Sequence, residues 1–218
     1  MATYLITGAN RGIGYEYCRQ LKERGDKAGD KAIAICRTAS QDLRDLGVQV
    51  EEGIDITSDA SVADLRDRLG NSAIDVLINN AGILKEESLE DLDFDSIREQ
   101  FEVNAIGALR VTHALLPNLK AGSKIVLMTS RMGSIADNTS GDYYGYRMSK
   151  VALSMAGKSL AHDLKPRGIA VAILHPGLVQ TRMTDFTTDG ITPEESVKGL
   201  LKRIDELTLE NTGTFWHA

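Results

Sequence analysis

The run Thr7-Gly8-Ala9-Asn10-Arg11-Gly12-Ile13-Gly14 joins a short apolar strand, Tyr4 to Ile6, to a helical pattern that runs from about Ile13 to Arg24. Glycines in such a turn let the backbone approach a pyrophosphate, whose charge is met by amide donors at the helix N-terminus. The spacing is GxxxGxG rather than the better-known GxGxxG. A plain glycine turn in an ordinary βα unit is therefore the alternative interpretation.

Apolar runs and helical patterns alternate along the rest of the chain. Further strands are predicted at Ala32–Ile35, Val48–Ile54, Ile74–Ile78, Lys124–Met128, Ile169–Leu174 and Thr212–Trp216. Helices are predicted from Asp59 or Ser61 to Leu69, and at Phe94–Leu116, Tyr143–Leu164 and Pro193–Leu207. Strands joined by helices require crossover connections. The pattern predicts an α/β, Rossmann-type, doubly wound parallel sheet of about seven strands with helices on both faces. No linker or repeat divides residues 1–218, so we expect one domain.

Composition excludes several classes of protein. With 42% apolar residues the chain can bury a core, and its formal charge of −6 gives no basic field for nucleic acid. Cys18 and Cys36 are the only cysteines, too few for a disulfide framework or zinc site, and the four histidines share no ligand spacing. We expect reduced, buried thiols and no metal. With no signal peptide pattern and no long apolar run, the expectation is a soluble, cytoplasmic protein without a membrane partner.

Two further motifs accompany the glycine run. Asn79-Asn80-Ala81-Gly82 follows the fourth predicted strand, and Tyr146-Arg147-Met148-Ser149-Lys150 opens the helix before the sixth. Together the three motifs resemble the short-chain dehydrogenase/reductase family in its single-domain branch. The run Met132–Ile135 and the stretch Tyr143–Lys150 look like the sniffer and C-factor group of carbonyl reductases. The resemblance spans essentially the whole chain, and it implies an oxidoreductase that interconverts a small carbonyl (aldehyde, ketone or quinone) and an alcohol.

Tyr146 and Lys150 are four residues apart, which places them on one helix face. A phenol with a pKa of about 10 is only about one part in a thousand ionised at pH 7, and a neighbouring ammonium lowers that pKa. Tyr146 is therefore predicted to be the acid for carbonyl reduction and the base for alcohol oxidation. Tyr143 has Arg147 at the fourth position onward, and a guanidinium cannot exchange a proton. We expect Tyr143 and Tyr144 to wall the cleft or pack against a loop.

Ser130 ends the fifth predicted strand, at the edge of the sheet where open α/β folds bind ligands. A hydroxyl there can hydrogen-bond a substrate oxygen as charge develops on it. The resemblance implies that Ser130 is the catalytic serine. Ser134 is the alternative, because the segment between Ser130 and Tyr146 is longer than is usual in the family. The resemblance also implies that Asn104 kinks its helix and holds a water linked to Lys150, completing a proton relay.

The end of the second strand indicates which cofactor is preferred. An NAD-selective site is expected to offer a carboxylate there, whereas this chain has Arg37. Arg37 and Arg11 could clamp a 2′-phosphate, which predicts NADP(H) in preference to NAD(H), with two surface arginines as the alternative. The glycine run and the resemblance together imply cofactor contacts from Gly8, Asn10, Arg11, Gly12, Ile13, Gly14, Arg37, Asp55, Ile56, Asn80, Ala81, Gly82, Tyr146, Lys150, Pro176, Gly177 and Thr181.

Two other functions are compatible with parts of the pattern. A nucleotide-binding signalling protein of the C-factor type would bind NADP(H) with little turnover, and the intact relay residues argue against it. Sugar-nucleotide epimerases share the Tyr-xxx-Lys spacing, but they generally carry a separate C-terminal domain. The resemblance suggests a homodimer through the long helices around Asn104 and Tyr146. Residues 181–192 are expected to form a short lid over the substrate.

Overall fold

In the computed structural model, seven strands form one parallel sheet in the order β3-β2-β1-β4-β5-β6-β7. The structure describes residues 1–218, with the side chain of Lys27 left out. The strands are β1 (Thr3–Thr7), β2 (Lys31–Cys36), β3 (Gln49–Glu52), β4 (Val76–Asn79), β5 (Lys124–Met128), β6 (Ala170–His175) and β7 (Phe215–His217). The strand order reverses between β1 and β4, and open α/β sheets bind ligands at the carboxyl ends of such strands.

Helices cover both faces of the sheet and bury two apolar layers against it. They are α1 (Gly12–Ala28), α2 (Gln41–Asp45), α3 (Asp59–Leu69), α4 (Phe94–Phe101), α5 (Gly107–Ala114), α6 (Tyr144–Leu164) and α7 (Pro193–Asp205). One layer includes Tyr17 of α1 and Leu200 of α7. The other includes Leu65 of α3, Val111 of α5 and Leu153 of α6. The predicted doubly wound α/β fold is thereby confirmed.

The central strands supply both layers because successive side chains point to opposite faces of a sheet. In β1, Leu5 lies in the layer under α3, α5 and α6, whereas its neighbours Tyr4 and Ile6 lie in the other. All six residues of β6 are buried, as the near-continuous apolar run of a strand covered on both faces predicts.

The helix predicted from Phe94 to Leu116 is interrupted. A π-helical turn, Glu102–Ile106, separates α4 from α5, and a 3₁₀ turn follows at Leu116–Asn118. Such wide turns recur at functional sites, and this one carries Asn104.

Several predicted boundaries were wrong. The third strand is shorter than predicted, since β3 pairs only with β2 at the sheet edge. The cap of α3 is Ser58, whose Oγ accepts a hydrogen bond from the N–H of Ser61 at 3.2 Å. Helix α2 was not predicted; it is capped by Ser40 and buries Leu43. The closing strand lies three residues later than its predicted start, at Phe215–His217.

Cys18 and Cys36 are free and buried, as predicted. Within the part of the chain that the structure describes, no helix is long and apolar enough to span a bilayer. The same residues contain no group of three or more His, Cys, Asp or Glu placed to hold a metal ion.

Candidate active site

The glycine run packs directly onto the segment that follows β4. A Cβ on Gly14 would lie 2.2 Å from the carbonyl oxygen of Gly8 and 2.6 Å from Nδ2 of Asn80. Gly8 has a φ of +66°, and a Cβ there would lie 2.8 Å from Cα of Ala81. The Asn80 amide donates to the carbonyls of Thr7 and Gly8 at 3.0 and 3.2 Å. Side chains at Gly8 and Gly14 would therefore force the two segments apart.

The N-terminus of α1 has the features of an anion site. Arg11 is its N-cap residue and makes no capping hydrogen bond, and no acidic residue lies in the first turn. The first amide N–H groups of a helix have no partner within the helix, and the helix dipole adds partial positive charge there. A Cβ on Gly12 would meet only the Thr181 side chain, at 3.4 Å. Thr181 thus lies close to the glycine run, as the expected cofactor contacts require.

The two arginines proposed to select the cofactor are both exposed. Oδ1 of Asn10 accepts a hydrogen bond from the N–H of Ser40 at 2.5 Å, which ties the glycine run to the loop that follows Arg37. The pKa of Asp55 is lowered mainly by hydrogen bonds from Thr57, and the positive charge of Arg37 adds to this effect. The residues present therefore fit a dinucleotide, and selection for a 2′-phosphate stays a prediction.

Ile56, the other residue expected beside the adenine, is buried. A Cβ on Gly107 of α5 would lie 2.9 Å from Cδ1 of Ile56. The Ile56 side chain is thus packed under α5, in the apolar layer on that face of the sheet. A contact between this side chain and a cofactor stays a prediction.

Ser130, Tyr146 and Lys150 are brought together at the carboxyl ends of β5 and β6, and all three are buried. The Ser130 hydroxyl is placed near enough to the Tyr146 phenol to lower its pKa, and Oγ of Ser130 accepts a hydrogen bond from the N–H of Met132 at 3.1 Å. Nζ of Lys150 lies 5.5 Å from the centre of the Tyr146 ring and donates to the carbonyl of Met128 at 2.9 Å. Ser134, the alternative serine, is exposed and accepts a hydrogen bond from the N–H of Asp137 at 3.3 Å. Of the two serines, Ser130 is therefore the one that is buried near Tyr146 and lowers its pKa.

Burial dominates the electrostatics of this cluster. It raises the pKa of Tyr146 to about 12, although the nearby Ser130 hydroxyl acts in the opposite direction. Burial also lowers the pKa of Lys150 to about 8. The sequence predicts a lowered pKa for Tyr146, whereas the structure gives a raised one. The raised pKa arises because burial destabilises the phenolate more than the neighbouring groups stabilise it. Tyr146 is accordingly protonated at neutral pH, as an acid for carbonyl reduction must be.

Asn104 occupies the π-helical turn and is fully buried. Its Oδ1 accepts a hydrogen bond from the N–H of Ile83 at 2.8 Å. Its Nδ2 donates to the carbonyl of Ile83 and to Oγ of Ser149, both at 2.9 Å. A Cβ on Gly82 would lie 3.2 Å from Oδ1 of Asn104 and 3.4 Å from Nζ of Lys150. Asn104 and Lys150 therefore face the same point of the segment after β4. The helix widens to a π-helical turn at Asn104. The kink and the relay water stay predictions.

Tyr143, which precedes α6, and Arg147 in its first turns have structural partners. The Tyr143 hydroxyl donates to Glu86 at 2.9 Å, so Tyr143 packs against a neighbouring loop, one of the two predicted roles. The Arg147 guanidinium bonds the carbonyls of Gly141, Asp142 and Met132. It thereby fixes the long segment between Ser130 and α6, a role that sequence reasoning missed.

The segment after β6 is held at its base and exposed at its tip. Gly177 adopts a φ of +87° after Pro176. The N–H of Gln180 donates to the carbonyl of Ile191 at 3.0 Å, and the N–H of Ile191 to the carbonyl of Leu178 at 2.8 Å. Between these anchors Phe186 is 65% exposed. This arrangement is suitable for a lid whose tip moves while its base stays in place.

Comparison with known proteins identifies the family. A family model described as short chain dehydrogenase matches residues 2–191. The chain belongs to the short-chain dehydrogenase family. It is therefore an oxidoreductase of that family, and the predicted resemblance is confirmed.

Two curated relatives cover large parts of the chain. The 1-hydroxy-2-glutathionyl-2-methyl-3-butene dehydrogenase of Rhodococcus sp. (strain AD45) is 43% identical over 100% of this chain and 97% of its own length. The C-signal of Myxococcus xanthus is 47% identical over 66% of this chain and 87% of its own.

Two solved carbonyl reductases share the fold of this short-chain dehydrogenase. The NADPH-bound enzyme from chicken fatty liver has a TM-score of 0.88 at 28% identity and covers 100% of this chain and 96% of its own. Sniffer of D. melanogaster has a TM-score of 0.88 at 29% identity with the same coverage.

Proposed function

We propose that this protein is an NADP(H)-dependent oxidoreductase of the carbonyl reductase type, which interconverts an aldehyde, ketone or quinone and the corresponding alcohol. The observation that carries the proposal is the buried cluster of Ser130, Tyr146 and Lys150, in which Nζ of Lys150 lies 5.5 Å from the centre of the Tyr146 ring. The similarity to two carbonyl reductases, one of them NADPH-bound, supports it. All 218 residues would act as one NAD(P)-binding domain, since every strand joins one sheet.

NADP(H) would lie across the ends of β1 and β4 and supply the hydride. The uncapped first turn of α1 would bind the pyrophosphate, and Arg11 with Arg37 the 2′-phosphate. Pro176, Gly177 and Thr181 would meet the nicotinamide from the side of β6. The segment Asn80–Gly82 would support the ribose from beside the glycine run.

Residues of the chain would bind the carbonyl oxygen of the substrate and supply the proton that it receives. Ser130 would hydrogen-bond the carbonyl oxygen, and Tyr146 would give that oxygen its proton as the alcohol forms. Lys150, whose pKa is lowered to about 8 by burial, would return a proton to Tyr146 and hold the ribose. Asn104 would anchor the water that links Lys150 to solvent. In the oxidative direction the same groups act in reverse.

A turnover screen tests the proposal. Aldehydes, ketones and quinones would be offered with NADPH and with NADH, and alcohols that carry a glutathionyl group with NADP⁺, because a full-length relative is named as a dehydrogenase of such a compound. We expect turnover on at least one class and a preference for NADP(H). NADPH binding without turnover on any compound would favour the alternative, a nucleotide-binding signalling protein similar to C-signal.

Arg37→Asp should erase or reverse the preference for NADP(H). We expect the wild-type protein to bind NADPH more tightly than NADH, because a hydrogen bond between charged groups contributes about 1.5 to 3 kcal/mol, or tenfold and more in affinity. Dissociation constants from cofactor fluorescence measure the effect. Arg66→Asp makes the same charge change on α3, where Arg66 pairs with Asp67, and should leave the preference intact. Equal wild-type affinities for NADPH and NADH would contradict the argument.

Residues 181–192 should become ordered when NADP(H) binds. The exposed tip around Phe186 buries little apolar area, whereas Thr181 lies beside the glycine run and gives the cofactor a means to favour a closed state. Closure would exclude water from the reacting centre. Hydrogen exchange with and without NADP(H) should show the strongest protection at the tip around Phe186 and little change at Gln180, which precedes the segment. Identical exchange at saturating cofactor would rule out a lid.

The helices around Asn104 and Tyr146 would also form a homodimer interface. Apolar side chains are exposed on this surface, at Ile106, Leu109, Met148, Val151 and Met155. A sedimentation mass twice that of one chain is the expected result. The proposed location is the cytoplasm, a reducing compartment in which the buried thiols Cys18 and Cys36 stay unpaired.

A further inference from the structure

A buried carboxylate lies next to the start of α6. Glu87, in the segment between β4 and α4, is 3% exposed. Its Oε1 accepts hydrogen bonds from Oγ of Ser96 and Nε2 of Gln100, both at 2.5 Å, and its Oε2 accepts from the N–H of Gly145 at 3.2 Å. An acidic side chain is seldom buried unless several donors satisfy it. The backbone carbonyl of Glu87 also accepts from the N–H of Tyr143, at 2.8 Å.

These contacts join three elements at one point. Gln100 of α4 is fully buried and accepts a hydrogen bond from the N–H of Lys85 at 3.0 Å. A Cβ on Gly145 would lie 2.5 Å from Nε2 of Gln100, so the first turn of α6 sits directly on α4. Tyr143, just before that turn, has a φ of +54°, in the left-handed region that non-glycine residues seldom adopt. The Glu87 contacts hold the chain in this entry to α6.

Tyr146 lies one residue beyond Gly145, in the turn that Glu87 holds. A negative charge at the N-terminus of this 21-residue helix is favourable. We propose that Glu87 is a positioning residue: its carboxylate fixes the first turn of α6 and so sets the place of the Tyr146 hydroxyl relative to Ser130 and the substrate. The inference rests on the proposed function of Tyr146. It explains the burial of an acid for which the proposed chemistry has no other use.

In the hydrogen-bond network around Glu87, the position of each donor and each acceptor is fixed. Gln100 must turn its oxygen to the N–H of Lys85, so its nitrogen faces Glu87. Position 87 therefore needs acceptors on both sides, towards Gln100 and towards the N–H of Gly145. In Glu87→Gln, the NH2 group of the new amide faces either the Gln100 amide nitrogen or the N–H of Gly145, so two donors oppose each other.

A second substitution can restore the match. In the double variant Glu87→Gln/Gln100→Glu, the carboxylate moves to position 100, where it accepts from the N–H of Lys85 and from the amide nitrogen at position 87. The amide oxygen at position 87 is then free to accept from the N–H of Gly145. Oγ of Ser96 lies 3.4 Å from the side-chain atom of residue 100 that becomes a carboxylate oxygen, so its hydroxyl can donate there instead of to position 87. Every donor of the original network then again faces an acceptor.

The test compares kcat for carbonyl reduction with NADPH affinity in these variants. Glu87→Gln should lower kcat by about 10- to 100-fold, the scale of a misplacement of about 1 Å, and change the NADPH dissociation constant less than about twofold. The double variant should recover kcat to within about threefold of wild type. The control Glu90→Gln makes the same change at an exposed position of the same segment and should behave as wild type.

Hydrogen exchange at the amides of residues 144–148 gives a readout that does not depend on turnover. It should be faster in Glu87→Gln and normal in the double variant. Wild-type kcat and exchange in Glu87→Gln would overturn the inference, as would a parallel loss of kcat and NADPH binding. If Glu87→Gln does not fold, a folded double variant with near-wild-type kcat supports the inference and one with low kcat overturns it. An inactive wild-type protein refutes the proposed function, and the exchange data then decide the role of Glu87 separately.

Discussion

Tyr146→Phe should lower kcat for carbonyl reduction by about 100- to 10,000-fold, the range that general acid catalysis supplies. The substitution keeps the ring, which is 7% exposed, and removes only the hydroxyl that would donate the proton. The NADPH dissociation constant should change little, because the ring still fills its place beside Lys150. Steady-state kinetics and a cofactor titration on the same preparation measure both quantities.

The neighbouring tyrosines provide the comparison for this variant. Tyr143→Phe removes a hydrogen bond to Glu86, away from Ser130, and should retain most of the activity. Near-normal turnover by Tyr146→Phe, with Tyr143→Phe or Tyr144→Phe inactive instead, would show that the acid has been assigned to the wrong residue.

Lys150→Met should also lower kcat about 100-fold or more, and at the same time raise the free energy of unfolding at pH 7. Lys150 is 5% exposed, and burial lowers its pKa from 10.5 to about 8. Such a shift corresponds to about 3 kcal/mol of destabilisation whenever the folded protein carries the charge. Methionine fills the space without a charge, so we expect a gain of up to about 3 kcal/mol. NADPH should bind more weakly, because Lys150 would hold the ribose.

The pH dependence of stability separates this effect from packing. Below pH 8 Lys150 is protonated in both the folded and the unfolded state, so burial of its charge destabilises the fold to the full extent. Between pH 8 and about 10.5 the unfolded state binds more protons than the folded one, so wild-type stability rises relative to Lys150→Met. Urea denaturation of both proteins at pH 7 and pH 10 should show the difference shrink. A variant that is less stable than wild type at pH 7 would contradict the burial argument.

The fold was predictable because its determinants are local and repeated. The glycine run, the alternation of apolar strands with amphipathic helices, and the near-continuous apolar character of Ile169–Leu174 each point to one parallel sheet. Helix ends were less predictable. Ser58, Asp59 and Ser61 can all cap a helix, and only the backbone geometry selects Ser58.

The candidate site was predictable where motifs carry it. Ser130, Tyr146 and Lys150 converge as the motif spacing and the resemblance imply. The direction of the Tyr146 pKa shift was not predictable, because it depends on how completely the fold removes the phenol from water. The burial of Glu87 could not be predicted from the sequence, because a carboxylate in a polar segment is normally solvated. The groups that donate hydrogen bonds to it come from α4 and α6, which lie later in the sequence.

Transfer of deuterium tests the central claim most directly. NADPH with deuterium at both hydrogen positions of nicotinamide C4 would be incubated with the protein and a carbonyl compound that it turns over, and the product analysed by mass spectrometry. We expect the label on the former carbonyl carbon of the alcohol with wild-type protein, and none above background with Tyr146→Phe. Consumption of NADPH without label in the alcohol, or binding of NADPH with no alcohol formed from any carbonyl class, would contradict the account.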